Sequence, residues 1–296
     1  MEKAILAGPF IGELGWQVLR FAPFVIWNKI SKYKNKVKLI VYTREDTFDL
    51  YGQYSDIFVP LRIDGDFTKY KGNCFRLEGY PLTGYYKLIT NFHDKYMNQY
   101  DIVEHLYPKI EKPHHLNKHQ FPRGKMIHEF KPRKDNLIIV NKYISNGKKN
   151  VVLGSRFRRG FKRNWKYWNE FYDLLYQSDL YNRFNFIICG KAPEYIPDSK
   201  ERFLDINNFK LTKDSSLIGI TIECIKNSIL TCGSQSSIPN LSLSLGTEVL
   251  EWGDQKRFHT LDYNYKKTPI TFIDDRYYNI PPEKVLKIMS KILRNK

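Results

Sequence analysis

The chain has 296 residues, 42% of them hydrophobic and 27% charged, and 48 Lys+Arg against 31 Asp+Glu give a net charge of +17. This balance excludes wholesale disorder and leaves room for two modest domains or one large one. No run approaches the roughly 18 apolar residues of a membrane span, and the opening residues show no cleavage site of a secretory leader. The chain is therefore expected to be cytoplasmic, at most peripheral to a membrane. Its basic excess favours anionic partners: nucleic acid, membrane headgroups or phosphorylated substrates. Cys74, Cys189, Cys224 and Cys232 form no CxxC pair and no zinc spacing, so they read as reduced thiols.

The first half opens with an apolar strand, Ala4 to Ala7, and a turn, GPFIGELG. A helix over Trp16 to Ser31 follows, with Val18, Leu19, Ala22, Val25 and Ile26 at helical spacing. A strand from Val37 to Thr43, a short helix and a strand at DIFVP complete a β-α-β-α-β run, the pattern of a parallel sheet. Tyr85 to Tyr100 reads as an aromatic helix. Residues 108–136 read as irregular, with one strand at Met126 to Phe130. Leu137 to Tyr143 reads as a strand or the start of a crossover.

The second half begins with a buried-type strand, Asn150 to Ser155, then a basic turn and a helix from Trp165 to Gln177. Strands are expected at Phe184 to Gly190, FLDI, SILTCG, TEVLEW and ITFID. Helices are expected at Leu217 to Lys226, at Ile238 to Leu245, and at the end, where Pro stands at the helix start. SNGKKN marks a boundary near residue 146. The expected architecture is α/β: two Rossmann-like β/α/β domains, 1–146 and 147–280, facing across a cleft. A closing helix over 281–296 is free to cross back onto the first domain.

Three turns carry candidate chemistry. In GPFIGELGW, Gly8, Gly12 and Gly15 permit close approach of a ligand, and Glu13 is a carboxylate at the carboxyl end of a strand. There it would act as a general base or stabilise a helix start through the dipole. SRFRRGFKRNW crowds Arg156, Arg158, Arg159, Lys162 and Arg163 between a strand and a helix, which suits a diphosphate or a solvated loop. TCGSQSSIPN offers Ser234, Ser236 and Ser237 at a helix start, a phosphate cradle without a lysine or a simple serine cap. Asp64-Gly65-Asp66 reads as a polar turn, and His114, His115 and His119 as part of a solvated loop, so no metal site is expected.

These motifs in the second half resemble the nucleotide-sugar domain of GT-B glycosyltransferases, in particular the ADP-heptose:lipopolysaccharide heptosyltransferase family. KRNWKYWNEFYDLL, IICGKAPE and TCGSQSSIPNLSLSLGTEVLEWG follow that family's outline over residues 150–253. Gln235, Ser237 and Asn240 stand where the family has Asp, Gly and His, and Gly12-Glu13 where it has Gly-Asp. The resemblance implies a nucleotide-diphosphate sugar donor bound by Gly12, Arg158, Lys162, Arg163, Glu194, Ser236 and Ser237. It implies Glu13 as general base, with leaving-group charge met by cations and helix dipoles and no metal required.

Two acceptors fit the charge. One is a 5-hydroxymethylated pyrimidine base in double-stranded phage DNA, bound through the basic middle segment that includes Lys118, Arg123 and Lys125. The DNA acceptor is the leading expectation. The alternative is a lipopolysaccharide or capsule glycan at an anionic membrane. A non-catalytic nucleotide- or DNA-binding protein on the same fold is the third reading.

Overall fold

The computed structural model describes residues 1–296 except 13, 62–71, 74–75, 78–80, 113–114, 117–120, 123, 145–146, 157–163, 192–202, 256–263 and 295. The chain divides into two compact units, Met1–Arg133 and Lys134–Lys296.

The first unit is built on a four-stranded parallel sheet: β1 (Glu2–Phe10), β2 (Lys38–Thr43), β3 (Ile57–Pro60) and β6 (Tyr100–Leu106), in the order β3-β2-β1-β6. Between β1 and β2 residues 14–32 are helical throughout. Two α stretches, α1 (Leu14–Trp16) and α2 (Ala22–Trp27), alternate with π-helical turns at Gln17–Phe21 and Asn28–Lys32. All five residues of the first π turn are buried. Helix α3 (Leu82–Met97) precedes β6 and buries Tyr85, Ile89, Phe92 and Tyr96. Two small antiparallel ribbons pair β4 (Gly72–Asn73) with β5 (Arg76–Leu77), and β7 (Ile110–Lys112) with β8 (His115–Leu116).

The second unit opens with α4 (Lys134–Ile144) and carries a six-stranded parallel sheet. Its strands are β9 (Lys149–Arg156), β10 (Phe184–Lys191), β11 (Phe203–Asp205), β12 (Ser228–Ser234), β13 (Val249–Gly253) and β14 (Ile270–Asp274). Their order, β11-β10-β9-β12-β13-β14, is the 3-2-1-4-5-6 order of a Rossmann sheet. Helices α5 (Trp168–Gln177), α6 (Asp179–Arg183), α7 (Leu217–Lys226), α8 (Ser237–Leu245) and α9 (Pro282–Leu293) make the connections and the closing element. Apolar runs such as VVL and FIIC suit strands buried on both faces. One face packs an aromatic cluster in which Trp165 and Trp252 lie 4.8 Å apart between ring centroids, and the Trp165 indole donates to Ile280 O at 2.9 Å.

Several expectations need correction. Met126 to Phe130 forms no strand; it carries no regular secondary structure, and Ile127 N donates to Pro23 O at 3.0 Å. The apolar run at Leu137 to Tyr143 is helical, as α4. That helix packs on α7, where Gly219 leaves room for the Asn136 carboxamide (a Cβ there would lie 2.5 Å from it) and Asn136 Oδ1 accepts from Ser216 N at 3.0 Å. The boundary therefore falls after residue 133, not 146. Val285, Met289 and Leu293 of the last helix, α9, enter the core of the second unit beside α5. Strand β6 went unread in the sequence. Cys189, Cys224 and Cys232 are buried and free, and Cys74 lies outside the described residues.

Candidate functional sites at two switch points

In each sheet the strand order reverses once, between β1 and β6 and between β9 and β12. The carboxyl ends of the strands at such a reversal are where open α/β sheets bind ligands. All three sequence-predicted turns leave strands that flank these two points.

In the first unit, side chains from three elements hold the end of β1. His105 Nε2 bonds Gly8 O at 2.8 Å, Tyr85 Oη shares its proton between Pro9 O at 3.2 Å and Pro108 O at 3.0 Å, and Thr43 Oγ1 donates to Phe10 O at 3.3 Å. A carbonyl only accepts, so His105 carries its proton on Nε2. Burial pushes its pKa down to about 4, and the neutral ring persists through the physiological range. Burial likewise holds the Tyr85 phenol far above its ordinary pKa, so it remains a donor. Gly8 has φ +119, and a Cβ there would collide with the Tyr42 carbonyl. The helix after the turn is anchored too. Gln17 Nε2 lies 3.0 Å from Thr43 Oγ1, 3.1 Å from Thr47 Oγ1 and 3.0 Å from Tyr51 Oη. Gly12 sits buried in the bend between these anchors. Glu13 follows it and lies outside the described residues.

In the second unit, α8 starts at the carboxyl end of β12. Ser236 occupies its N-cap position, yet its hydroxyl makes no capping bond and is buried without a partner among the described residues. The simple serine cap is therefore not what is built here. Ser216 shows the contrast: it caps α7 by accepting from Gly219 N at 3.0 Å. Ser237 is the first residue of α8, and the third, Pro239, brings no N–H. The first turn lies tight on the sheet. A Cβ on Gly154 of β9 would meet Ile238 at 3.1 Å, and one on Gly233 of β12 would meet Gly154 O at 2.9 Å. Gly154 lets an uncapped helix N-terminus, an anion-binding element, rest at the switch point, and Gly233 lets β9 and β12 approach beneath it. The Ser234 hydroxyl and Asn240 Oδ1 are also buried without a partner among the described residues.

Gln235 is committed elsewhere. Its Oε1 accepts from Tyr278 Oη at 3.0 Å and its Nε2 donates to Asp254 O at 3.2 Å, tying the ends of β12 and β13 together. Glu251 on β13 is fully buried, neither carboxyl oxygen has a partner among the described residues, and burial raises its pKa to about 8.

Arg158, Lys162 and Arg163, in the connection from β9 to α5, lie outside the described residues, as do Glu194, Lys118 and Arg123. Lys125 is exposed, its ammonium 5.6 Å from the Trp27 ring centre. The structure thus brings Ser236 and Ser237 to one switch point and Gly12 to the other. Sequence reasoning missed the clamp residues Thr43, Tyr85 and His105. It also missed Gly154, whose place inside a strand is itself a sign of close backbone approach. Among the described residues no group of three or more His, Cys, Asp or Glu is arranged to hold a metal ion. No described helix is long and apolar enough to cross a membrane.

Solved structures resemble this arrangement along its whole length. A glycosyl transferase family 9 structure from Veillonella parvula aligns with TM-score 0.60 at 10% identity, over 100% of this chain and 98% of its own. The chain has the GT-B fold. E. coli heptosyltransferase WaaC with ADP aligns with TM-score 0.57 at 11% identity, over 100% of both chains. E. coli ADP-heptose lipopolysaccharide heptosyltransferase II aligns with TM-score 0.59 at 8% identity, over 100% of this chain and 99% of its own. No protein-family model and no curated protein sequence matches the chain.

Proposed function

We propose that this protein is a glycosyltransferase that moves a sugar from a nucleotide-diphosphate donor to a hydroxyl acceptor. The observation that carries the reading is the uncapped N-terminus of α8 at the β9/β12 switch point of a GT-B fold. The donor diphosphate lies against the second unit. Backbone N–H groups and the hydroxyls of Ser236 and Ser237 meet one phosphate, and Arg158, Lys162 and Arg163 neutralise the other. Glu194 accepts from a ribose hydroxyl. Gly12 gives the donor room at the β1 turn.

Glu13 takes the acceptor proton as the acceptor oxygen bonds to the anomeric carbon. The bond from that carbon to the diphosphate breaks, and the nucleoside diphosphate leaves with the electron pair. Arginine, lysine and the helix dipole stabilise the charge that develops on it, which is the part a divalent cation plays elsewhere. Heptose is not assigned as the sugar, because Gln235 replaces the family's Asp and both ends of its amide bond the protein.

For the acceptor, the order of the two expectations reverses. The DNA base rests on charge and on Lys118, Arg123 and Lys125, of which only Lys125 is among the described residues. The fold likeness supports a glycan of the lipopolysaccharide kind, the class named for heptosyltransferase II. The test is incubation with a panel of nucleotide sugars and, separately, with truncated lipopolysaccharide and hydroxymethylated DNA, read by mass spectrometry. A hexose or heptose mass gained by the glycan is expected. Donor binding with transfer to neither acceptor, whatever the sugar, would leave a binding protein and sink the enzyme reading.

A further inference from the structure

The sheet of the second unit turns its two faces to different layers. Leu250 and Trp252 of β13 enter the aromatic core beside α5 and α9, so Val249 and Glu251 point to the other face. Thr231, the register partner of Val249, accepts there from the Ser242 hydroxyl of α8 at 2.8 Å. Glu251 thus lies on the face that α8 covers, in a row that runs Gly154, Gly233, Glu251 across β9, β12 and β13. Ile238, in the first turn of α8, rests on Gly154. Two strand spacings, about 10 Å, separate Gly154 from Glu251. The carboxyl is fully buried, and neither oxygen has a partner among the described residues.

No cation among the described residues pairs with it. Helix α8 has no charged side chain, and the titratable group of β12, Cys232, faces the aromatic core. Strand β14 brings Asp274, exposed at its end. Helix α7, packed on α8, brings Cys224, Glu223 and Lys226, the last two bonded to each other. At the ends of β13, Glu248 pairs with Lys296 and Asp254 follows Gly253. Burial alone raises the Glu251 pKa, to about 8.

We propose that Glu251 regulates the donor site: neutral, it lets a diphosphate settle at the α8 N-terminus, and ionised, it repels that diphosphate. This inference rests on the donor-site reading above and adds a control to it. At a separation of about 10 Å in a poorly screened interior, one like charge changes an affinity roughly tenfold. The coupling is reciprocal, so a bound diphosphate makes Glu251 hold its proton more tightly. Affinity should be level below about pH 7 and fall as pH climbs through 8.

The test is calorimetric titration of the full chain with ADP and with UDP from pH 6.5 to 9.5, for wild type and Glu251→Gln, with circular dichroism at each pH to certify the fold. The amide has nearly the same shape and does not titrate, so the ratio of the two affinities cancels the ligand's own ionisation. That ratio should stay constant to about pH 7 and then fall roughly tenfold against wild type by pH 9.5. At pH 8.5 wild type should take up about half a proton more than the variant on binding, read from buffers of different ionisation heat. Parallel affinity profiles overturn the proposal. So does wild-type binding without proton uptake at pH 8.5, a result that needs no folded variant. Failure of both proteins to bind ADP or UDP at any pH overturns the donor-site reading along with it.

Discussion

The amide of Gln17 lies 3.0 Å from the hydroxyl of Thr43, and that hydroxyl donates onward to Phe10 O at 3.3 Å. One β2 side chain therefore fastens both shoulders of the turn that carries Glu13: the strand before it and the helix after it. All the groups involved are buried, so the link cannot be replaced cheaply by solvent. Thr43→Val keeps the shape but takes the Thr43 hydroxyl from Phe10 O and removes one of Gln17's acceptors. It should cost about 1–3 kcal/mol of stability. Turnover should fall more than donor affinity, because the displaced turn bears the proposed base and meets the donor only at Gly12, while the α8 cradle is untouched. Calorimetric unfolding, donor titration and single-turnover rates separate these effects. A drop in donor affinity as large as the drop in rate would mean that Thr43 serves the fold generally.

Glu13→Gln removes the proposed proton acceptor and keeps nearly the same volume. Turnover is expected to fall by 10²-fold or more, in the range of general-base losses, with donor affinity within about twofold. Equal rates in the two proteins would dismiss Glu13 as the base. Loss of donor binding instead would move it into the donor site.

What the sequence revealed follows from burial. Strands β9, β10 and β12 are enclosed on both faces, and their unbroken apolar runs are unambiguous. Strand β6 lies at a sheet edge, with Asp101, Glu104 and His105 among its seven residues. Its polar letters hid it, because an edge tolerates them. The run Leu137-Ile138-Ile139-Val140 looks like a strand by composition, yet Ile139 and Val140 face inward while Leu137 and Ile138 remain exposed. Docking of α4 on α7 decides that segment, which is a tertiary effect that no local propensity contains. The candidate site was legible as turns, since glycine, serine and arginine punctuate them. Its supports were not, because His105, Tyr85 and Thr43 come from three elements far apart in the chain.

The contact between α8 and the sheet can be probed by adding single methyl groups. On Gly154 the new carbon would press on Ile238 Cγ2 at 3.1 Å and on its Cβ at 3.2 Å, so α8 must give by a few tenths of an ångström. On Gly233 it would meet the Gly154 carbonyl at 2.9 Å, and backbone must shift. Gly233→Ala should therefore be the more destabilising, at about 1–3 kcal/mol, with Gly154→Ala below it. Gly154→Ala should weaken nucleoside-diphosphate binding by tilting the first turn of α8, whereas Gly233→Ala parts β12 from β9. Unaltered diphosphate affinity in a folded Gly154→Ala protein would show that the ligand does not rest on this helix.

Glu251 makes stability depend on pH in a defined direction. Burial raises its pKa to about 8 in the folded chain, above the unfolded value near 4.3. The folded state favours the protonated acid, so this contribution is complete below about pH 4 and is lost as pH climbs through 8. The slope between those limits is at most about 1.4 kcal/mol per pH unit. Glu251→Gln abolishes the titration. Its melting temperature relative to wild type should be flat in acid and rise steadily from about pH 5 to pH 8. A constant difference across that range would mean that the carboxylate is compensated in solution.

Two serines at helix N-caps should answer alanine in opposite ways. Ser216 accepts from Gly219 N at 3.0 Å, so Ser216→Ala removes a working cap and should cost about 1 kcal/mol. Ser236 caps nothing, and its hydroxyl is buried without a partner among the described residues. Removing an unsatisfied hydroxyl of this kind is neutral or mildly stabilising in the free protein. The effect should appear only with ligand present. Ser236→Ala should weaken nucleoside-diphosphate binding several-fold, whereas Ser216→Ala should leave that affinity alone. Thermal unfolding with and without the nucleotide measures both quantities at once. A Ser236→Ala protein that is destabilised when free but binds normally would make Ser236 a structural residue and strip the α8 N-terminus of its assigned phosphate.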